Sequence, residues 1–158
     1  MICNLVAIPP IQLQGLLHEP SGVLNVFFPD DLGSPNPRLD LDKMWHGLHY
    51  VLTGSAWDGD PPFSLAVLGG TEIGEDTGYG PPRYLMPDEV RAVAAALDGT
   101  PHELFMERFD PSTMNDAELY SGYWDECEPE YMRQLLGELA AFYASAAAAG
   151  MAVLICLS

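Results

Sequence analysis

Asp42, His46 and His49 stand at i, i+4 and i+7 in the stretch RLDLDKMWHGLHYVLTG, Arg38 to Gly54. On a helix that spacing gathers all three on one flank. Two imidazoles three residues apart, with a carboxylate one turn away, could hold a metal ion or move a proton in a small enzyme. A metal site needs a third or fourth ligand of fixed geometry, and no HExxH or CxxC pattern lies nearby to supply it. The competing reading is that the three border the core, one histidine bonding Asp42 or a backbone carbonyl. Arg83 is grouped with them because it is one of only six cations in the chain. Its expected role is a clamped ion pair with a carboxylate.

A second constellation lies between Asp98 and Glu130, where ten acids face one cation, Arg108. Tyr120, Tyr123 and Trp124 lie inside this belt, followed at once by Asp125 and Glu126. Aromatic anchors on a carboxylate-rich surface suit a basic protein partner, since the rings bury area and the charges steer the encounter. An immunity-like protein that blocks a basic toxin enzyme has this character. The alternative is that the aromatics cover the core while the acids form a solvated face.

Other chemistry is poorly supported. The glycine-rich stretch GGTEIGEDTGYGPP has no GK[ST], and Gly78-Tyr79-Gly80 runs into prolines instead of completing GxGxxG. Glu72, Glu75 and Asp76 would repel a phosphate, so the stretch reads as a flexible surface loop. No GxSxG elbow is present. Asp58-Gly59-Asp60 has the start of a calcium loop, but prolines follow and the later ligand positions are missing. Cys3, Cys127 and Cys156 are odd in number and lack CxxC spacing, which argues against a disulfide framework and for a reducing compartment. Cys3 and Cys156 sit in apolar runs as small hydrophobes, and Cys127 lies between Glu126 and Glu128, which disfavours a thiolate. The expectation is therefore no resident cofactor and no metal, with a binding role favoured over an enzymatic one.

The charge balance limits the partners further. With 23 acidic and 6 basic residues, the formal charge is −17. Such a surface repels nucleic acid and anionic lipid headgroups. The opening MICNLVAIPP has no basic n-region or cleavage signature, and no apolar run reaches a membrane span. A cytoplasmic location is expected. At 158 residues with 48% hydrophobic side chains, one domain spanning 1–158 with a sizeable core is expected.

The elements that would position these residues follow from apolar periodicity and from Pro and Gly. Ile2 to Ile8 reads as a strand ended by Pro9-Pro10, and a short helix runs from there to about His18. Glu19 to Gly22 breaks it, Val23 to Phe28 is too short to assign, and Pro29 to Pro37 reads as a loop. Leu41, Met44, Trp45, Leu48, Val51 and Leu52 share one helical face, so a helix is expected through the opening stretch, with Asp40 as N-cap and Gly54 as its stop. Phe63 to Leu68 fits a buried strand or a helical turn. Arg83 to Met86 reads as a strand, and Pro87-Asp88-Glu89 opens a helix to Leu97. Thr100-Pro101-x-Glu103 has the form of a capping box for a further short helix to about Phe109, which Asp110-Pro111-Ser112 breaks. From Pro129 a long helix runs to about Ala149, and Met151 to Leu157, uncharged, reads as a well-covered strand.

Three motifs, LDLDKMWHGLHYVLTG, LAVLGG and GYGPPRYLMPDEV, together with a helix bearing AAFYASAAAAG before a last apolar strand, resemble the YfbM-like family of bacterial proteins, a domain of unknown function. The resemblance covers nearly the whole chain. It implies an α+β domain with a small sheet, including the N- and C-terminal strands, packed against several helices. It carries no established activity and hence no catalytic residues to transfer. Two functions are weighed: a non-enzymatic binding or regulatory protein acting through Tyr120, Tyr123, Trp124, Asp125 and Glu126 on a basic protein, and a small enzyme or metal-binding protein centred on Asp42, His46 and His49.

Overall fold

The N-terminal strand β1 (Cys3–Ile8) pairs antiparallel with the C-terminal strand β5 (Ala152–Leu157) along its whole length, Cys3 opposite Leu157 and Ile8 opposite Ala152. Both strands are runs of uncharged residues, as strands covered on two faces must be. Around this central pair a computed structural model, which describes residues 1–30 and 35–158, builds a five-stranded antiparallel sheet. Its order is β2-β1-β5-β4-β3, where β2 is Arg38–Asp40, β3 is Thr71–Glu72 and β4 is Arg83–Leu85.

Strand alternation sends Leu5, Ala7, Leu85, Val153 and Ile155 to the larger core, and Val6, Ile8, Ala152, Leu154 and Cys156 to the smaller one. The smaller face is covered by α1 (Pro10–His18) and α2 (Val23–Phe27) through Leu13, Leu16, Val23, Val26 and Phe27. The larger is covered by α3 (Trp45–Thr53), α4 (Pro87–Asp98) and α7 (Pro129–Ala148). Two shorter helices, α5 (His102–Met106) and α6 (Pro111–Asp116), add Phe105, Met106 and Met114 to that core. The architecture is α+β, with helices on both faces of one sheet. No helix among the described residues is long and apolar enough to cross a membrane.

The helix expected across Arg38 to Gly54 begins later than its apolar face suggested. Arg38, Leu39 and Asp40 instead form β2, opposite Val6, Leu5 and Asn4 of β1. Leu41 N–H still donates to the Cys3 carbonyl at 2.9 Å. Asp40 does accept a backbone N–H, but that of Asp42 at 2.7 Å, closing a turn rather than capping a helix. Asp42 then takes φ +47°, and a single 3₁₀ turn over Asp42–Met44 leads into α3. The sheet wins because it satisfies backbone groups on β1 that a longer helix would leave open. The far end is as expected, with Gly54 left-handed at φ +77° and its N–H bonded to the Tyr50 carbonyl. Arg108, from the turn after α5, donates to the carbonyls of Val51 and Leu52 at 2.8 and 3.2 Å.

Other local readings are decided or corrected. Val23–Phe27, too short to assign from sequence, is a helix, and Phe63–Leu65 takes the helical of its two readings, a 3₁₀ turn. The glycine-rich stretch is not simply a loop, because Thr71–Glu72 pairs with β4. Thr100 does not cap α5, since its hydroxyl donates back to the Ala96 carbonyl of α4 at 2.8 Å. Asp110-Pro111-Ser112 breaks one helix but also starts α6, the Asp110 carboxylate accepting the Ser112 N–H at 2.9 Å. The Pro29 to Pro37 loop reading falls partly outside the described residues.

Candidate functional site

Of the three belt aromatics, only Tyr123 is a surface side chain, at 71% exposure. Trp124, one residue on, is 1% exposed and fills the main core. Its ring lies so close to α3 that a methyl group at Gly47 would overlap it. Trp124 therefore corrects the expectation of a surface anchor. The neighbouring pair splits because the 3₁₀ turn over Trp124–Glu126 directs one ring inward and leaves the other outside. Tyr120 is half-buried and stacks on Trp45 with ring centroids 5.7 Å apart. Its hydroxyl accepts a hydrogen bond from the Met1 amino group at 2.7 Å. Asp125 is exposed and accepts from the Asn115 amide at 2.8 Å.

Tyr123 and Glu126 reappear in a shallow groove of about 420 Å³. The long helix contributes Tyr131 at its N-terminal end, and the segment before it contributes Glu128. The turn before α3 contributes Asp42 together with Lys43. Asp42 is thus drawn away from the histidines and into the acidic aromatic surface. Burial, and then the nearby Asp42 carboxylate, raise the Tyr131 phenol above its ordinary pKa, so it remains a protonated donor. Asp42 and Ser121, which both line the groove, have φ of +47° and +82°. Left-handed backbone at non-glycine residues costs about 1 kcal/mol each and collects at functional surfaces. Cys127 also borders the groove; burial first, then the Glu128 charge, raises its thiol pKa and keeps it a weak nucleophile.

His46 and His49 are fully buried on α3. Each imidazole bonds through Nε2 to a backbone carbonyl in the following loop, His46 to Ala56 at 2.7 Å and His49 to Asp58 at 3.0 Å. His46 Nδ1 accepts the Tyr120 N–H at 2.8 Å, which assigns the proton of the neutral ring to Nε2. Burial is the main cause lowering both histidines below their usual pKa. Among the described residues no group of three His, Cys, Asp or Glu side chains comes together to hold a metal ion, so Asp42, His46 and His49 do not converge. Arg83 makes the expected ion pair, with Glu72 at 3.0 Å, and also donates to the Leu68 carbonyl at 3.1 Å. Cys3 and Cys156 are buried, and burial pushes the Cys156 thiol up to about 11.

Tyr131 was not singled out by sequence reasoning. Its signal was weak but present: it falls off the Met132, Leu135, Leu136 face of α7 while standing among the belt acids.

Fold and surface together define an α+β domain in which, among the described residues, no three His, Cys, Asp or Glu side chains gather to hold a metal ion. The model of the DUF1877 family, a domain of unknown function, matches residues 1–156, and the chain belongs to that family. Protein YfbM of Escherichia coli strain K12 is 35% identical over 88 residues, a match covering 54% of this chain and 52% of that protein. The chain thus spans about half the length of this relative in sequence. The crystal structure of YfbM from Escherichia coli is similar over 98% of both chains, with a TM-score of 0.73 at 24% identity, a likeness of fold.

Proposed function

We propose that this protein is a non-enzymatic binding protein, immunity-like or regulatory, that engages a basic protein partner through the groove at Tyr123 and Tyr131. One observation carries the reading: two tyrosines, Asp42, Glu126 and Glu128 meet in one concave surface from two distant parts of the chain, 42–44 and 121–131. A lysine or arginine side chain entering there meets carboxylates for its charge and phenol rings for its stem and for cation–π contact. The overall charge of −17 adds long-range attraction for a basic surface. Backbone strain at Asp42 and Ser121 supports a shape kept for recognition rather than for stability.

The test is calorimetric titration with a synthetic lysine- and arginine-rich peptide at low salt and at about 150 mM salt, where the screening length is about 8 Å. Binding should weaken with salt, and Tyr123→Ala, which leaves every charge in place, should weaken it by about 5- to 30-fold, a hot-spot loss of about 1–2 kcal/mol. An unchanged affinity in Tyr123→Ala means that diffuse charge, not the groove, attracts the peptide, and the reading fails.

A further inference from the structure

One corner of the larger sheet face is left open, and its lining differs from the rest of that face. Arg83 pairs across the strands with Ile155 and so lies on the same side of the sheet as Leu85, Val153 and Ile155, which are buried in the core. At this end the covering helices leave a cleft of about 230 Å³. Leu68, Ile155 and Leu157 give it an apolar lining, Arg83 is the one charged residue among its described lining, and Trp57 and Tyr79 stand beside them.

Both aromatics are exposed, Trp57 at 63% and Tyr79 at 53%, yet both are firmly held. The two buried histidines bond the carbonyls on either side of Trp57, those of Ala56 and Asp58. The His46 ring itself lies 4.2 Å from the Trp57 ring, centroid to centroid. Tyr79 sits between Gly78 and Gly80, whose φ values of +100° and +93° suit glycine. The Asp76 carboxylate accepts both of their N–H groups, at 2.6 and 3.0 Å, and the Thr77 hydroxyl donates to the Leu157 carbonyl at 3.1 Å. Surface aromatics braced in this way lose little freedom when something binds between them.

The Arg83 guanidinium is positioned by Leu68 and Glu72, which occupy two of its five N–H donors. Its side chain is 39% exposed and that of Glu72 is 57% exposed, so this is a surface ion pair, which an incoming carboxylate can replace at small cost.

We propose that the cleft binds a small planar carboxylate bearing an aromatic ring. The guanidinium fork takes the carboxylate, Trp57 and Tyr79 take the ring, and the end of β5 with Leu68 provides an apolar floor. His46 and His49 are positioning residues: they touch no ligand and fix the loop that carries Trp57. The site is separate from the acidic groove, with no lining residue in common.

Benzoate is the probe, followed through the Trp57 indole N–H and the Arg83 Nε–H in nitrogen-resolved spectra of the whole chain. Benzamide, neutral but of similar shape, and acetate, which has no ring, are the controls. Saturable shifts at both groups with benzoate are expected, with affinities for benzamide and acetate about ten-fold weaker or less, because each lacks either the charge-assisted pair or the ring contact. Arg83→Met should abolish the preference for benzoate over benzamide. Trp57→Ala, at a largely exposed side chain, should weaken benzoate itself and leave the basic-peptide affinity unchanged. Shifts that stay linear into tens of millimolar, far beyond a specific weak complex, would overturn the proposal. So would equal binding of benzamide, or an unchanged benzoate affinity, read at the Arg83 Nε–H, in Trp57→Ala.

Discussion

Gly47 and Trp124 are 77 residues apart in sequence, and the structure makes the tolerance of one depend on the other. A Cβ added at Gly47 would overlap the six-membered ring of Trp124 and come within 3.0 Å of the Met114 methyl. Overpacking of this kind costs about 1–3 kcal/mol, while replacing glycine by alanine inside a helix returns about 1 kcal/mol. Gly47→Ala should therefore cost about 0–2 kcal/mol in the native background. Trp124→Ala removes a core ring and should cost about 3–5 kcal/mol, or roughly 6–20 °C in melting temperature for a chain of this size. In the Trp124→Ala background the obstruction is gone, so Gly47→Ala should stabilise by up to about 1 kcal/mol. The coupling between the two sites is then about 1–3 kcal/mol, large enough to resolve in a double-mutant cycle by urea denaturation. Equal costs for Gly47→Ala in the two backgrounds would refute the placement of Trp124 in the core. Tyr123→Ala belongs in the same series as a surface control, within about 0.5 kcal/mol of the native protein.

Stability should also respond to pH through His46 and His49. Their pKa values are lowered by burial from 6.5, so the unfolded chain binds more protons between the folded value and 6.5. Their contribution is complete above pH 6.5 and falls as the pH drops below it toward the lowered folded values. Urea midpoints between pH 5 and pH 7 should show this slope, and His46→Gln with His49→Gln should flatten it; a flat native profile would contradict the burial of both rings. Arg108→Met should lose about 1 kcal/mol in the same assay, because the C-terminal carbonyls of α3 lose a charged donor.

Strands β1 and β5 and helices α4 and α7 were legible because uncharged runs and 3.6-residue periodicity carry their own boundaries in Pro and Gly. The stretch from Arg38 to Asp42 was misread for a definite reason. RLDLD alternates polar and apolar residues at period two, a strand pattern, but Leu41 and Met44 onward also fit a helical face. The choice was made by β1, a partner more than thirty residues away that local pattern cannot reveal. The candidate sites were less legible still. Tyr123 and Trp124 are chemically alike and adjacent; the turn over Trp124–Glu126 sends one ring inward, where the absent side chain of Gly47 leaves room for it. The spacing of His46 and His49 was real, but its use is to bond two carbonyls around Trp57, a tryptophan whose setting in a polar SAWDGDPP loop was the signal that went unread.

The acidic groove is tested most directly by mapping where a basic peptide lands. Backbone amide spectra of the whole chain, titrated with a lysine- and arginine-rich peptide at low salt, should show shifts concentrated at Asp42, Ser121, Tyr123, Glu126 and Tyr131, and these should disappear at high salt. Shifts spread evenly over the carboxylates of the Asp98 to Glu130 belt, or centred away from Tyr123 and Tyr131, would contradict the proposed role of the groove.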